Sequence, residues 1–452
     1  MKRTVSFILL IATLLTTCLF SSCSVGGNES EYVDKNDRLF TCGLLPVCLE
    51  ESSVRPGLFP SKWAYVNEDG EMAFDTTYRK ASPFAPCGLA VVTDQNNETY
   101  YINTKGERQE GFGYQPTEFD DYGYTSVQID GKYAIMNHNG EFITDPIYDK
   151  VFPFTECGIA RVKESGRFGY INTEGERIIN PQFQEGTDFN EEGYAVVRKL
   201  SKYGILNKDG EIVIDIEYDS LGSMYDGIAS FKKGDLRGYL NTDGETLFTF
   251  PNNSSVYRYN GYIVVDTYAF YSVYDTEGKL LFQGDYDELS IVNRSGYISA
   301  RKDKTIYIMK PSGKVVSEFE YPEGVDDVDM ILNHVDLLPY ATTGKNRKEG
   351  FLDIHGKVAI KAQYDDVEEF NAYGIALFYS KTNRSYGLIN TDGEVTLSPC
   401  ISGVCTFYYG GYAVAKTDDG FILIDPEGKK TSDLTFKTYA TRDGVFSEYP
   451  YI

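Results

Sequence analysis

The fold is decided by a stretch that reads Tyr203-Gly204-Ile205-Leu206-Asn207-Lys208-Asp209-Gly210-Glu211. An aromatic residue, a small residue and two apolar residues come before a polar turn that ends in glycine. Versions of this stretch return through most of the 452 residues, and each contains a turn glycine. These glycines are Gly70, Gly106, Gly140, Gly175, Gly210, Gly244, Gly278, Gly313, Gly356, Gly393 and Gly428. Eleven copies at intervals of 34 to 43 residues predict a tandem array of repeats of about 35 residues.

Each repeat predicts short antiparallel strands joined by tight turns. In the fifth copy a strand over 203–207 reaches a turn at Gly210, where glycine supplies the positive φ that a hairpin demands. A second strand over 211–214 is followed by Tyr218-Asp219, and a last strand returns over 227–232. No window outside the N-terminal 22 residues shows a convincing helical period. We therefore predict an all-β protein built from β-hairpin repeats.

Composition agrees with this fold and excludes some functions. The chain has 37 Tyr, 27 Phe and 43 Gly but one Trp, and the first three favour strands and turns. Its net charge of −24 disfavours contact with phosphate backbones, so we expect no nucleic-acid partner. With only three histidines, imidazole catalysis and a His-rich metal site have little support.

The repeated phrases resemble the WG-repeat family of bacterial proteins, whose units run Trp-Gly-Tyr-Ile-Asn, a turn to Gly-Glu, then Pro-x-Tyr-Asp and Gly-x-Ala. The resemblance covers about residues 61 to 440 and rests on three landmarks that recur in order. Only Trp63 holds the tryptophan position, and Tyr or Phe replaces it in most other copies. Membership implies an accessory array of repeats without a defined chemistry.

Two ways of packing the repeats remain open. Propeller-like packing is favoured, because the aromatic face of one unit is buried only when its neighbour stacks on it. The alternative is an open β-solenoid or superhelical array. Half-repeats at both ends, one within 39–60 and one at 443–446, could close a ring or cap an open array. Complete repeats are expected over 61–322 and 349–452, with an irregular insertion at 323–348.

The N-terminus predicts export and lipidation. A basic start at Lys2-Arg3 is followed by an apolar run that is too short to span a bilayer. Together they predict a signal peptide over 1–22. Leu19-Phe20-Ser21-Ser22-Cys23 resembles a bacterial lipobox, which makes Cys23 the lipidated residue, with Cys18 as the competing candidate. Residues 23–38 form a flexible tether. We expect a lipid-anchored protein on the outer side of the cell membrane.

No residue set in the sequence predicts catalysis. Acidic pairs such as Asp120-Asp121, Asp326-Asp327 and Asp365-Asp366 are interpreted as turn residues, and neither a metal site nor a cofactor is predicted. Cys42 with Cys48 and Cys400 with Cys405 are spaced so that either pair could close a small disulfide loop.

The function predicted from the sequence is therefore binding. The hypothesis is a lipid-anchored scaffold that presents a repeat surface to an unidentified protein or polysaccharide, and not an enzyme. The alternative is a carbohydrate-active envelope enzyme with its site at a ring centre or in the insertion.

Overall fold

The computed structural model describes residues 38–50, 62–259, 261–290, 296–330, 334–442 and 444–447. Within these ranges the regular secondary structure consists of β-strands, which confirms the all-β prediction. In the same ranges no helix is long and apolar enough to cross a membrane. The predicted signal peptide, tether and Cys23 lie outside the described residues.

The strands are short and follow one another as antiparallel neighbours. Those of the first five repeats are β1 (Leu45–Glu50), β2 (Lys62–Val66), β3 (Lys80–Ala81), β4 (Leu89–Thr93), β5 (Thr99–Asn103), β6 (Arg108–Gln109), β7 (Tyr124–Ile129), β8 (Lys132–Asn137), β9 (Lys150–Phe154), β10 (Ile159–Glu164), β11 (Arg167–Asn172), β12 (Arg177–Phe183), β13 (Glu185–Gly186), β14 (Tyr194–Lys199), β15 (Lys202–Asn207) and β16 (Ile212–Tyr218).

The later repeats continue the same order, and the chain ends with two strands that join the sheet of the first repeat. Their strands are β17 (Ser220–Leu221), β18 (Ile228–Lys233), β19 (Leu236–Asn241), β20 (Thr246–Thr249), β21 (Ser255–Tyr259), β22 (Tyr262–Asp266), β23 (Tyr271–Asp275), β24 (Leu280–Gly284), β25 (Glu288–Leu289), β26 (Ile298–Lys302), β27 (Thr305–Met309), β28 (Val315–Glu320), β29 (Val325–Val328), β30 (Leu337–Thr342), β31 (Glu349–Asp353), β32 (Val358–Tyr364), β33 (Asp366–Val367), β34 (Ile375–Ser380), β35 (Ser385–Asn390), β36 (Val395–Phe407), β37 (Ala413–Thr417), β38 (Gly420–Ile424), β39 (Thr438–Thr441) and β40 (Gly444–Ser447).

Most repeats form one four-stranded sheet, as β9-β10-β11-β12 do. The described residues contain ten sheets, eight of them four-stranded. The tenth and eleventh repeats share a six-stranded sheet because the long strand β36 belongs to both. In the third repeat only β7 and β8 pair as strands.

The turn between the third and fourth strands follows the chemistry of the repeated phrase. All eleven turn glycines have φ between +73° and +84°. In the fifth repeat the Asn207 Oδ1 atom accepts hydrogen bonds from the backbone N–H groups of Asp209 and Glu211, at 3.1 and 2.9 Å. The Asn207 side-chain amide donates to the Glu211 carboxylate at 3.0 Å. One asparagine therefore fixes the turn and orients the residue after glycine.

The charge of the residue after glycine varies with the turn residue. Where the turn begins with asparagine, glutamate follows glycine, and the amide–carboxylate hydrogen bond is repeated at Asn103, Asn137, Asn172, Asn241 and Asn390. Where it begins with aspartate, as at Asp353, lysine follows glycine, here Lys357. The side-chain pair is thus complementary wherever the turn begins with asparagine or aspartate.

This complementarity predicts a charge-reversal result. Asn207→Asp should destabilise the protein by about 0.5 kcal/mol, because it sets a carboxylate beside the Glu211 carboxylate on an exposed turn. Adding Glu211→Lys should restore the denaturation midpoint, while Glu211→Lys alone should not raise it. Strictly additive midpoints in the three variants would contradict a direct side-chain pair.

The small residue after the aromatic one allows the fourth strand to approach closely. A Cβ atom on Gly204 would lie 2.7 Å from the Ile214 carbonyl oxygen on the neighbouring strand. The strand register shifts at this point, between Tyr203 and Ile205. Glycine in this phrase therefore provides space for a bulge rather than an unusual φ.

The hydrophobic core is divided among the junctions between successive repeats. At the junction of the fourth and fifth repeats, the buried Tyr170 ring lies 5.0 Å from the Phe189 ring, and the Tyr170 hydroxyl donates to the Thr187 carbonyl at 2.8 Å. Eleven clusters of this kind join the repeats in order and return to the first repeat. Each repeat therefore buries its apolar faces only against its two neighbours.

The ends of the array meet and close a ring. β1 pairs with β39, and Val47 lies opposite Tyr439. The sheet order β2-β1-β39-β40 completes the first repeat with C-terminal strands. The array is thus a closed ring and not an open one, and the closing strand is β39, just before the half-repeat predicted at 443–446, which adds β40 beside it.

The predicted insertion is more regular than expected. The segment 323–348 contributes β29 and β30 to the four-stranded sheet of the ninth repeat. The prediction of an irregular segment was wrong for these two strands. They were not recognised because they lack the usual landmark spacing.

Candidate functional site

The turns between the first and second strands of the repeats contact one another in succession. The Cys157 thiol lies 3.2 Å from the Asn190 carbonyl oxygen, one repeat further along. The Gly410 N–H donates to the Tyr373 hydroxyl at 2.9 Å across another junction. We call this series of turns the inner rim. In the four-stranded sheets it follows the first strand, which lies at one edge, and in the first repeat β40 adds to that edge.

Arg442 connects inner-rim turns that belong to different repeats. It follows β39 in the first repeat, yet its guanidinium forms a 3.0 Å ion pair with Asp121 in the third repeat. Its charge also opposes the rise in the thiol pKa values that burial causes at Cys42 and Cys87, in the first and second repeats. One side chain therefore acts across three repeats.

A pocket of about 410 Å³ opens beside this ion pair. It lies where the third repeat departs from the rest, since Thr117 and Glu118 contact β7 through hydrogen bonds but belong to no strand. Its lining combines acidic, hydroxyl and aromatic groups with one cation. The lining residues are Thr117, Glu118, Phe119, Asp120, Asp121, Tyr124, Thr125, Ser126, Ile135, Val151, Phe152, Pro153, Phe154 and Arg442.

Asp120 fixes the floor of the pocket. Its carboxylate accepts backbone N–H bonds from Tyr122 at 3.0 Å, Tyr124 at 2.9 Å and Phe154 at 2.9 Å. Burial raises the pKa of Asp120 above its usual value, and these three hydrogen bonds together with Arg442 oppose that rise. The carboxylate is therefore committed to positioning backbone in two successive repeats.

Of the ion pair beside the pocket, the carboxylate is the more accessible partner. The Asp121 side chain is 42% exposed, whereas that of Arg442 is 18% exposed. Thr117 and Thr125 form a 2.8 Å hydroxyl pair, and Phe152 carries the Arg161 guanidinium 3.7 Å from its ring centre. A ligand in this pocket would meet hydrogen-bond acceptors, a partly desolvated cation and an aromatic wall.

The residues singled out from sequence occupy mainly structural positions. Asp365 accepts the Lys348 ammonium at 2.7 Å and the Lys381 N–H at 2.8 Å, and these partners lower its pKa. Among the described residues no group of three or more His, Cys, Asp or Glu side chains could hold a metal ion. The structure brings Asp120 and Asp121, interpreted as plain turn residues, to the pocket wall. No pattern in the sequence indicated that Arg442 would join them.

The two disulfide loops that the cysteine spacing left open are not formed. Cys42, Cys48, Cys87, Cys157, Cys400 and Cys405 are all free, so neither suggested disulfide loop is formed. Desolvation raises the pKa of the Cys405 thiol to about 12. The described cysteines with shifted pKa values are therefore held as thiols.

These observations define a class of protein: a β-propeller made of tandem repeats, in which each sheet buries its faces against its neighbours. Six segments of the chain match the model of the WG containing repeat, at residues 63–97, 134–167, 168–203, 203–236, 350–379 and 386–421.

Solved structures similar to this chain share little sequence with it. A eukaryotic initiation factor aligns over 60% of this chain and 83% of its own, with 12% identity and a TM-score of 0.39. BamB from Moraxella catarrhalis aligns over 58% and 90%, with 11% identity and a TM-score of 0.24. The WD40 β-propeller domain of Doa1 aligns over 53% and 91%, with 15% identity and a TM-score of 0.22. No curated protein matches the chain.

Proposed function

We propose that this protein is a lipid-anchored binding scaffold outside the cytoplasm, and that its ligand occupies the inner-rim pocket beside Arg442. The observation that carries the proposal is a ligand-sized pocket in a closed ring, at the one repeat whose sheet has only two described strands. Closed rings of repeats hold their loops in fixed relation, which suits recognition.

The pocket chemistry favours a polysaccharide or a polar protein segment. Hydroxyl groups of either ligand could donate to Asp121, while Arg442 offers a cation. The anchor part of the proposal rests on the lipobox-like residues before Cys23. With both the pocket and the anchor, the protein would be a receptor tethered to the cell envelope.

A binding screen with a matched pair of variants tests the pocket. The full chain is screened against envelope oligosaccharides and envelope proteins, and each hit is measured again with Arg442→Gln and Arg347→Gln. Arg442→Gln should weaken binding by about tenfold or more, because it removes a largely buried interfacial cation. Arg347→Gln should bind normally, since Arg347 pairs with Glu349 in the ninth repeat.

Two results would contradict this proposal. Equal affinities of the two variants for every hit would remove the pocket from the binding site, provided that both unfold at the wild-type denaturant concentration. Turnover of an envelope polymer by the purified protein, abolished by Asp326→Asn or Asp365→Asn, would instead support the enzyme alternative.

A further inference from the structure

The third repeat lacks the strand that covers the edge of the second strand in its neighbours. In the fifth repeat that strand is β13, and it pairs with β14. Beside it the N–H groups of Gln184 and Thr187 donate to the carbonyls of Arg198 and Val196, each at 2.9 Å. The same two bonds are made at the equivalent positions of the second and sixth repeats. The backbone of the second strand is therefore paired on both sides in these repeats.

The equivalent backbone groups of the third repeat belong to Ser126 and Gln128 of β7. The strand registers place these residues at the positions of Val196 and Arg198. The residues that alternate with them bond to β8 next to the two-residue turn at 130–131. The N–H and C=O groups of Ser126 and Gln128 therefore point to the opposite side, away from β8.

No backbone donor reaches this side of β7 over residues 126–128 in the part of the chain that the structure describes. Thr117 would be a donor by analogy with the fifth repeat, but its N–H donates to the Tyr101 hydroxyl in the second repeat, at 3.0 Å. The Thr117 hydroxyl lies 3.4 Å from the Ser126 carbonyl, which is too long for a strong hydrogen bond. Pro116 has no N–H to donate. The third repeat thus has an open strand edge.

The pocket beside Arg442 opens at this edge. Ser126 is one of its lining residues, together with residues 151–154 of the next repeat. An extended peptide carries N–H and C=O groups in the alternation that an open strand edge pairs with, and a polysaccharide carries no such backbone. The unpaired groups of β7 therefore favour a peptide as the ligand.

The aromatic side chains of the lining are engaged by the protein itself. Phe119 and Phe154 are buried, and Tyr124 packs against Phe154 with ring centres 4.5 Å apart. The Arg161 guanidinium lies 3.7 Å from the centre of the Phe152 ring. A sugar ring that stacks on a free aromatic face would find little support here.

We propose that the pocket binds an extended segment of a partner protein by strand addition to β7 over residues 126–128. The segment takes the place of the first strand that the neighbouring repeats have. This inference rests on the proposed function and selects the protein segment from the two classes of ligand considered there. Three residues of pairing are few, so side chains of the segment that enter the pocket supply the rest of the affinity.

Amide hydrogen exchange of the full chain tests whether the edge is open. The Ser126 N–H should exchange about tenfold faster, or more, than the Val196 N–H, which donates to the Thr187 hydroxyl at 2.9 Å. Equal protection of the two amides in the free chain would overturn the proposal, because a segment of the chain itself would then already cover the edge.

A fluorescein-labelled peptide with the sequence of residues 254–259 tests binding. It contains β21, which pairs with β22 over five residues without a register shift. Fluorescence anisotropy should show saturable binding to the full chain. Two versions of the peptide, methylated on the backbone nitrogens of its odd or its even residues, form a matched pair. Only the pattern that blocks the donors facing β7 should weaken binding, by about tenfold.

Ser126→Pro is the matching variant of the protein. Proline removes the N–H on the open side of β7, where a strand edge tolerates it, so the denaturation midpoint should stay near that of the wild type while peptide binding is lost. If this variant fails to fold, the methylated peptides decide instead.

Three results would overturn strand addition. They are the absence of saturable peptide binding, equal weakening by both methylation patterns, and equal peptide affinity of folded Ser126→Pro and the wild type. An oligosaccharide that needs Arg442 but binds Ser126→Pro normally would also overturn it, and would leave the pocket intact as the site of the proposed function. Ligands that ignore Arg442 altogether would instead count against the proposed function.

Discussion

Gly175→Ala should be among the most destabilising single-methyl changes in this protein, at roughly 3 kcal/mol. Two costs combine at this position. Gly175 has φ +80°, a conformation that costs an L-residue about 1 kcal/mol or more. The added Cβ would also meet the backbone carbonyl of Ile143 in the preceding repeat, with the Thr144 methyl group 3.2 Å away. Backbone cannot move aside as a flexible side chain can, so overpacking adds about 1–3 kcal/mol.

A second glycine of the same repeat isolates the contact between repeats. Gly166 has φ +77°, but a Cβ atom there would have nothing within 4 Å. Gly166→Ala should therefore show the conformational cost alone, about 1 kcal/mol. Urea denaturation of both variants gives the comparison. Equal midpoints would show that the turn glycine serves only its own hairpin and not the junction between repeats.

This comparison also marks the boundary of what the sequence could predict. The repeat spacing predicted the strands and the turn at Gly175 because these features depend on residues close in the chain. The contact with Ile143 was not predictable in the same way, since it depends on how far one sheet is rotated against the next. Local pattern carries no information on that angle.

The candidate site depends even more strongly on contacts between residues that are distant in the chain. Asp120 and Asp121 stood out in the sequence, and their turn positions were correctly anticipated. Arg442 is more than 300 residues away, and only closure of the ring brings it to them.

Ring closure leads to the other large expected effect. Tyr439→Ala should destabilise the protein by about 3–5 kcal/mol, because it removes a buried aromatic ring from the closing strand. Tyr439 is 3% exposed, and its ring lies 5.5 Å from Phe421 and 6.1 Å from Phe436. Its hydroxyl lies 2.9 Å from that of Tyr408. Tyr439→Phe keeps the ring and should cost about 1 kcal/mol.

The residues in which Tyr439→Ala accelerates amide hydrogen exchange distinguish a closed ring from a chain of independent repeats. In a ring, Tyr439→Ala weakens the strand that pairs with β1, so amide hydrogen exchange should accelerate in residues 45–50, almost 400 positions earlier in the sequence. Loss of closure should then spread to both neighbouring junctions, since each repeat is stabilised mainly by its two neighbours. Exchange that accelerates only after residue 400 would mean that the β1–β39 pairing contributes little, and that the array is stable without being closed.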